Sequence, residues 1–260
     1  MLLAIDVGNT NIVFAVFNPK GKLTGTWRLS SDRKRTADEY AISVAKLLEL
    51  QGIGIDDISG VIISSVVPQT VFPLKSFCRQ YIKQEPLIVG EKEVKLPLKV
   101  KIDRPAEVGS DRVVNAAAAF EMYKKPTIVI DFGTATTFDV IDGKGDYQGG
   151  TIAPGINLSI EALHRAAAKL PEIAVEKPKK VIGKSTIDAM QSGIYWGYVG
   201  LLEGITTRIK KEFGAPMKVI ATGGLAPLFA KATSVIDALE PNLTINGLLK
   251  IYNFNQKMMR

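Results

Sequence analysis

The chain has 260 residues, 33 Lys+Arg against 26 Asp+Glu, a formal net charge of +7 and 46% hydrophobic residues; this is neither a disordered nor a fibrous composition, and a chain of this length buries roughly 70 to 75% of its unfolded surface without staples. One cysteine, Cys78, and one histidine, His164, exclude an intrachain disulfide framework and any Cys/His metal cage. No apolar run of about 18 uncharged residues occurs, Asp6 cuts the apolar opening Met1 to Ile5, and bases alternate with acids from Ser31 to Glu39, so we expect a cytoplasmic protein with no membrane and no nucleic-acid partner.

Leu2 to Ile5, Ile12 to Phe17 and Leu23 to Leu29 read as three strands, the first two joined through Asp6-Val-Gly-Asn-Thr10 and the last two through Asn18-Pro-Lys-Gly21. Thr36-Ala-Asp-Glu39 has the spacing of a capping box, and the apolar recurrence after it predicts a helix over about 37–50, closed by Gly52. Val61 to Ser65 and Leu87 to Val89 are strand candidates, and Pro68 suits the first turn of a helix between them. Glu107 to Tyr123 predicts a further helix, after which Thr127 to Ile130 opens a second run of strands. The rest reads as a Gly-rich turn from Gln148 to Gly155, helices over Ile156 to Leu170 and Ser185 to Phe213, a strand from Lys218 to Thr222, a short one at Val235-Ile236, and a helix over Thr244 to Tyr252. Gly193, Gly197, Gly200 and Gly204 inside one long helix, each costing about 1 kcal/mol against alanine, predict close packing of another helix or subunit there.

Strands alternating with helices argue for an α/β class. The chain also starts again: Leu3-Ala-Ile-Asp6-Val-Gly-Asn-Thr10 is echoed by Val129-Ile-Asp131-Phe-Gly-Thr-Ala-Thr136, each a strand, Asp-x-Gly and a returning strand. Such a duplication predicts two halves, 1–115 and 116–260. A lone Asp-x-Gly is a common turn. Two of them place backbone amides where phosphates can approach, with an acid at each strand end able to hold a cation.

Together with Val219-Ile-Ala-Thr-Gly-Gly224, the two hairpins resemble the phosphotransferase fold shared by actin, hexokinase and sugar kinases. That resemblance implies duplicated ribonuclease H-like domains with a nucleotide cleft between them. Asp6-Val-Gly-Asn-Thr-Asn11, Gly109-Ser-Asp-Arg112 with Asn115, Asp131-Phe-Gly-Thr-Ala-Thr136 and Gly150-Thr-Ile-Ala-Pro-Gly155, in that order, resemble type III pantothenate kinase. The family resemblance implies phosphorylation of pantothenate to 4'-phosphopantothenate by ATP, the first step of coenzyme A synthesis, with Mg²⁺, a monovalent cation (K⁺ or NH₄⁺) and a homodimer.

The resemblance further implies roles for individual residues. Asp6, Val7, Gly8, Asn9, Thr10, Asn11, Ile12 and Val13 match the ATP-binding stretch, Asp6 holding Mg²⁺, and Thr134 matches a second nucleotide contact. Asp131 matches the monovalent-cation site. Asp111 matches the catalytic base, within a substrate-binding stretch of Gly109, Ser110, Asp111 and Arg112, and Thr186 matches a substrate-contacting threonine. From spacing alone these residues have other readings: Asp111 as a helix first-turn acid favoured by the dipole, Arg112 as an exposed ion pair, Thr186 as an N-cap. Gly183-Lys-Ser-Thr186 shares Gly-Lys-Ser with a Walker A loop, but Pro178 stands where that loop needs glycine. Ile102 departs from the family, which carries an aromatic residue nine positions before its base, and His164 is a further binding candidate. The rival functions are another small-molecule kinase of this fold and a non-catalytic transcriptional accessory regulator.

Overall fold

The apolar opening segment pairs at once with the residues that follow it. In the computed structural model, which describes residues 1–166 and 170–258, β1 (Leu2–Val7), β2 (Asn11–Phe17) and β3 (Leu23–Ser30) form an antiparallel meander. On the other side of β1, β4 (Gly60–Ser65) and then β5 (Leu87–Ile88) add in parallel, giving the order β3-β2-β1-β4-β5. β1 is buried on both faces, as its near-continuous apolar run requires. One face, with Leu3, Ile5, Phe14 and Ile63, packs on α1 (Ala37–Glu49) and α2 (Pro68–Phe77). The other, with Leu2, Ala4, Ala15 and Ile62, packs on Val114 and Ala117 of α3 (Ser110–Tyr123) and on Ile245, Leu248 and Ile251 of α7 (Leu243–Met258).

Local signals decide where these helices begin. The Thr36–Glu39 capping box is complete, with Glu39 N–H donating to Thr36 Oγ1 and Thr36 N–H to Glu39 Oε2. Pro68 opens α2 without a lost hydrogen bond, and a π-helical turn, Cys78–Ile82, continues it. Cys78 is fully enclosed there, and burial pushes its thiol up to about 12, so it is an inert packing residue. The helix expected from Glu107 starts at Ser110, since Pro105–Glu107 forms a separate 3₁₀ turn.

The second sheet repeats the first. β6 (Thr127–Phe132), β7 (Ala135–Ile141) and β8 (Tyr147–Pro154) form the meander, while β9 (Lys218–Gly223) and β10 (Ala238–Leu239) add in parallel beyond β6, in the order β10-β9-β6-β7-β8. The echo extends to detail. Each meander has its register shift at one place, Val16/Phe17 and Val140/Ile141. Each then closes on an Asx turn, in which Asn18 Oδ1 accepts from Lys20 and Lys22 N–H, and Asp142 Oδ1 accepts from Lys144 and Asp146 N–H. Gly21 (φ 75°) and Gly145 (φ 89°) supply the left-handed residue in the two turns.

One face of this sheet, with Ile128, Ile130, Phe132, Phe138 and Val219, packs on α4 (Ile156–Ala166), α5 (Thr186–Phe213) and α6 (Ala226–Ala230). Phe229 stacks on Phe132 at 5.7 Å and on Tyr195 at 5.2 Å between ring centroids. Three expectations change here. Gln148 to Pro154 is strand rather than turn, because its backbone completes the ladder of β7. The late strand forms at Ala238–Leu239 instead of Val235-Ile236, after Asp237 has bonded Val219 through both backbone and carboxylate. The helix expected to reach Leu170 is seen to Ala166, and 167–169 lie outside the described residues.

The chain divides into two compact units, Met1–Met122 with Asn242–Arg260, and Tyr123–Pro241. Where the sequence suggests one boundary near 115, the chain passes between units twice, since α3 runs to Tyr123 and α7 returns to the first sheet. Gly247 permits that return, as a Cβ there would lie 2.2 Å from the Val114 carbonyl oxygen. The second unit is fastened at its ends: the Tyr123 hydroxyl donates to the Glu240 carboxylate, and burial and this bond push the phenol up to about 12.

Candidate functional site

In the first unit the sequence-derived residues gather at the carboxyl ends of β1 and β4. Parallel α/β sheets place their ligands at such an edge. Asp6, the penultimate residue of β1, stands opposite Val13 in β2 and opposite Ser64 in β4. The loop after it turns tightly: Gly8 N–H donates to the Asn11 carbonyl at 2.9 Å, and a Cβ at Gly8 would lie 3.3 Å from that oxygen. Ser31 pins the loop from outside, its N–H donating to Thr10 O and its hydroxyl to Gly8 O. Asn9, Thr10 and Asn11 are exposed, and Val13 is half-buried. Val7 and Ile12 are buried in the apolar core, so they offer a ligand only backbone.

The Gly109 to Arg112 stretch lies at the same edge. The Ser110 hydroxyl is 3.0 Å from Ser64 Oγ and donates to the Ser65 carbonyl at 3.1 Å, which ties the start of α3 to the end of β4. The next residue, Asp111, folds its carboxylate back so that Oδ1 accepts from Arg112 N–H at 2.8 Å. Burial raises its pKa above the ordinary aspartate value, against the lowering by the Arg112 amide and guanidinium. Gly109 is what leaves room for this, because a Cβ there would sit 2.5 Å from Asp111 Oδ1. Asn115, quoted with this motif, is buried and accepts from the Thr244 hydroxyl at 2.8 Å, joining α3 to α7. Ile102 is half-buried in the loop before α3.

In the second unit, Asp131 near the end of β6 stands opposite Thr137 and Thr222. Gly133 N–H donates to the Ala135 carbonyl at 3.0 Å, and exposed Thr134 accepts from Gly155 N–H at 3.1 Å. Two glycines make this edge possible. A Cβ at Gly155 would lie 2.2 Å from the Thr134 carbonyl oxygen, and one at Gly223 (φ 93°) would lie 2.6 Å from the Phe132 carbonyl oxygen. Thr186 is exposed in the first turn of α5, and the capping falls to Ser185, whose hydroxyl accepts from Asp188 N–H at 3.1 Å. With Leu163, Leu170, Met190 and Ile194, Thr186 lines an open apolar cavity of about 440 Å³. His164 is exposed on α4, its Nδ1 2.6 Å from the Leu170 carbonyl.

Sequence reading passed over Ser64, Ser65 and Ser31. Their only signal was hydroxyls at the end of the apolar strand β4 and just after the alternating strand β3. It also passed over Asp139, fully buried in β7, which accepts from the Thr137 and Tyr147 hydroxyls at 2.9 Å each. Among the described residues no three His, Cys, Asp or Glu side chains cluster as a metal cage, and no helix is long and apolar enough to cross a membrane.

A family model described as type III pantothenate kinase matches residues 2–208. A type III pantothenate kinase of Paramagnetospirillum magneticum is 60% identical over 260 residues, covering 100% of both chains, and one of Rhodospirillum rubrum is 57% identical, covering 98% of this chain and 99% of its own. Among solved structures, a candidate Baf-family transcriptional activator from Campylobacter jejuni aligns with a TM-score of 0.61 at 20% identity, over 98% of this chain and 99% of its own. At that identity the likeness concerns the fold alone.

Proposed function

This chain belongs to the type III pantothenate kinase family, and from that premise we propose how its own residues carry the reaction. The protein is a kinase that transfers a phosphoryl group from ATP to pantothenate in coenzyme A synthesis. The carrying observation for the site is the Asp111 carboxylate: half-enclosed, raised in pKa, and tied through its neighbour Ser110 to the strand beside Asp6. A raised value makes it a stronger base than a solvated aspartate.

In the step we assign to it, Asp111 accepts the proton of the pantothenate hydroxyl as that oxygen bonds the γ-phosphorus. The bond from γ-phosphorus to the bridging oxygen breaks, and ADP leaves with its electron pair. The rest is positioning and charge neutralisation. The Gly8 to Asn11 loop offers amides and polar side chains to the phosphates, with Val7, Ile12 and Val13 contributing backbone, and Thr134 offers a second nucleotide contact. Arg112 suits the pantothenate carboxylate as a bidentate donor, Gly109 and Ser110 shape that stretch, and Thr186 with its apolar cavity suits the rest of the substrate.

Asp6 would hold Mg²⁺ and Asp131 a monovalent cation, K⁺ or NH₄⁺. A single carboxylate at Asp6 fits magnesium, which is usually held by one or two carboxylates and substrate phosphates rather than a protein cage. Each ion supplies positive charge against the triphosphate. A homodimer accounts for the glycines of α5: a Cβ at Gly193, Gly197 or Gly200 would meet nothing within 4 Å among the described residues. The net charge of +7 suits anionic small molecules rather than nucleic acid, and we place the enzyme in the cytoplasm.

The test is pantothenate-dependent ADP release with Mg²⁺, with potassium or sodium as the only monovalent cation. Turnover that needs both pantothenate and potassium supports the assignments. Equal rates in the two salts would remove the cation role of Asp131, and release without pantothenate dependence would remove the substrate stretch.

A further inference from the structure

We propose that Ser64 is a positioning residue for Asp111, acting through the Ser110 hydroxyl, and that Ser110 belongs to this relay rather than to the pantothenate contacts. The inference rests on the reading of Asp111 as the base. It starts from an oddity of composition. Ser64 is fully buried in β4, next to Ile62 and Ile63, where an apolar side chain would pack without needing a partner.

The geometry gives this buried hydroxyl one direction. Ser110 Oγ lies 3.1 Å from the Ser65 carbonyl, which only accepts, so the Ser110 proton goes there. Ser64 Oγ, 3.0 Å from Ser110 Oγ, is therefore the donor of that pair. The chain Ser64 hydroxyl to Ser110 hydroxyl to Ser65 carbonyl uses both protons without ambiguity and ties β4 to the first residue of α3. The Ser65 hydroxyl fixes the other side of the joint, donating to the Val67 carbonyl at 3.0 Å and accepting from Val67 N–H at 3.1 Å.

What the relay connects gives it a function. Ser64 stands opposite Asp6 in the parallel ladder, and Ser110 immediately precedes Asp111. The spacing between the acid assigned to Mg²⁺ and the acid assigned to the hydroxyl proton is thus set by one short hydrogen-bonded path inside one unit. Pure stabilisation of α3 needs no such partner, because its buried face is already held by the Asn115–Thr244 bond and by Val114 and Ala117 in the core.

The experiment measures kcat, KM for pantothenate, the acid limb of kcat/KM and the ATP dissociation constant for Ser64→Ala, Ser110→Ala, the double variant, Ser110→Thr and Asp111→Asn. A misplacement on the ångström scale lowers rate by about a hundredfold. We expect kcat to fall about ten- to a hundredfold in either alanine variant, with ATP affinity within about twofold of wild type. The double variant should lose no more than Ser110→Ala alone, because that variant already removes the one bond Ser64 makes to the relay. Ser110→Thr, which keeps the hydroxyl, should restore most of the rate. If Ser64→Ala fails to fold, the comparison of Ser110→Ala with Ser110→Thr carries the test, since Ser110 is only half-buried.

Wild-type kcat in both alanine variants, beside an inactive Asp111→Asn, overturns the relay and leaves the base in place. A raised KM for pantothenate with unchanged kcat in Ser110→Ala overturns it in favour of direct substrate contact. Wild-type kcat in Asp111→Asn removes the base itself, and the relay with it.

Discussion

Adding one methyl group at Gly109 tests the site where its geometry is tightest. In Gly109→Ala the new Cβ would stand 2.5 Å from Asp111 Oδ1, against about 3.4 Å for an ordinary contact, so the carboxylate must retreat by about 0.9 Å. Retreat breaks the 2.8 Å bond from Arg112 N–H that holds the carboxylate in place. A displacement of about 1 Å in a catalytic group costs about a hundredfold, and we expect kcat to fall by that factor at saturating substrates. The fold should tolerate the change. The Gly109 carbonyl accepts from Arg112 and Val113 N–H, so the residue sits at the N-cap, where glycine over alanine is worth about 1 kcal/mol. That corresponds to roughly 2–4 °C in Tm for a chain of this size. Steady-state kinetics beside calorimetry separates the two effects. A kcat within threefold of wild type would falsify the reasoning. So would a lost rate explained wholly by a raised KM for pantothenate, which would make Gly109 a substrate contact.

Further outcomes follow from individual residues. Asp111→Asn should abolish turnover, keep ATP and pantothenate binding, and raise Tm at neutral pH. The sign follows from the raised pKa: ionising Asp111 is harder in the folded chain, a cost present above its folded value and absent where both states are protonated. The gain should therefore fade as pH falls through the raised folded value and be gone below about 3.9, and a pH-independent change in Tm would contradict it. For the same reason the acid limb of kcat/KM in the wild type should lie above the ordinary aspartate range. Asp131→Ala should lose activation by potassium over sodium, and an unchanged ratio would move the cation elsewhere. Gly223→Ala combines a left-handed φ of 93° with a 2.6 Å approach to the Phe132 carbonyl, so it should cost about 2–4 kcal/mol in denaturant unfolding; a loss under 1 kcal/mol would refute the close packing. Gly197→Leu should shift the protein toward monomer in sedimentation, and an unaltered mass distribution would place self-association on another face.

What the sequence determined by itself was whatever is written in neighbouring residues. The Asp-x-Gly hairpins, the Thr36–Glu39 box and the apolar periods of α1 and α5 are local, because a turn, a cap or a helical stripe needs only the residues it contains. The ordered motifs from Asp6 to Gly155 carried the family for the same reason. Tertiary structure alone decided which surface covers which. The apolar stripe of α7 fits either sheet as far as its sequence shows; in the fold Ile245, Leu248 and Ile251 pack on the first, and Gly247 permits the close approach to the Val114 carbonyl. β8 reads as a Gly-rich turn until β7 supplies its hydrogen-bond partners. Ser64 and Ser110 stand 46 residues apart and carry no pattern in common. Only folding brings their hydroxyls to 3.0 Å, since a side-chain hydrogen bond between distant segments leaves no periodicity in the chain for a reader to find.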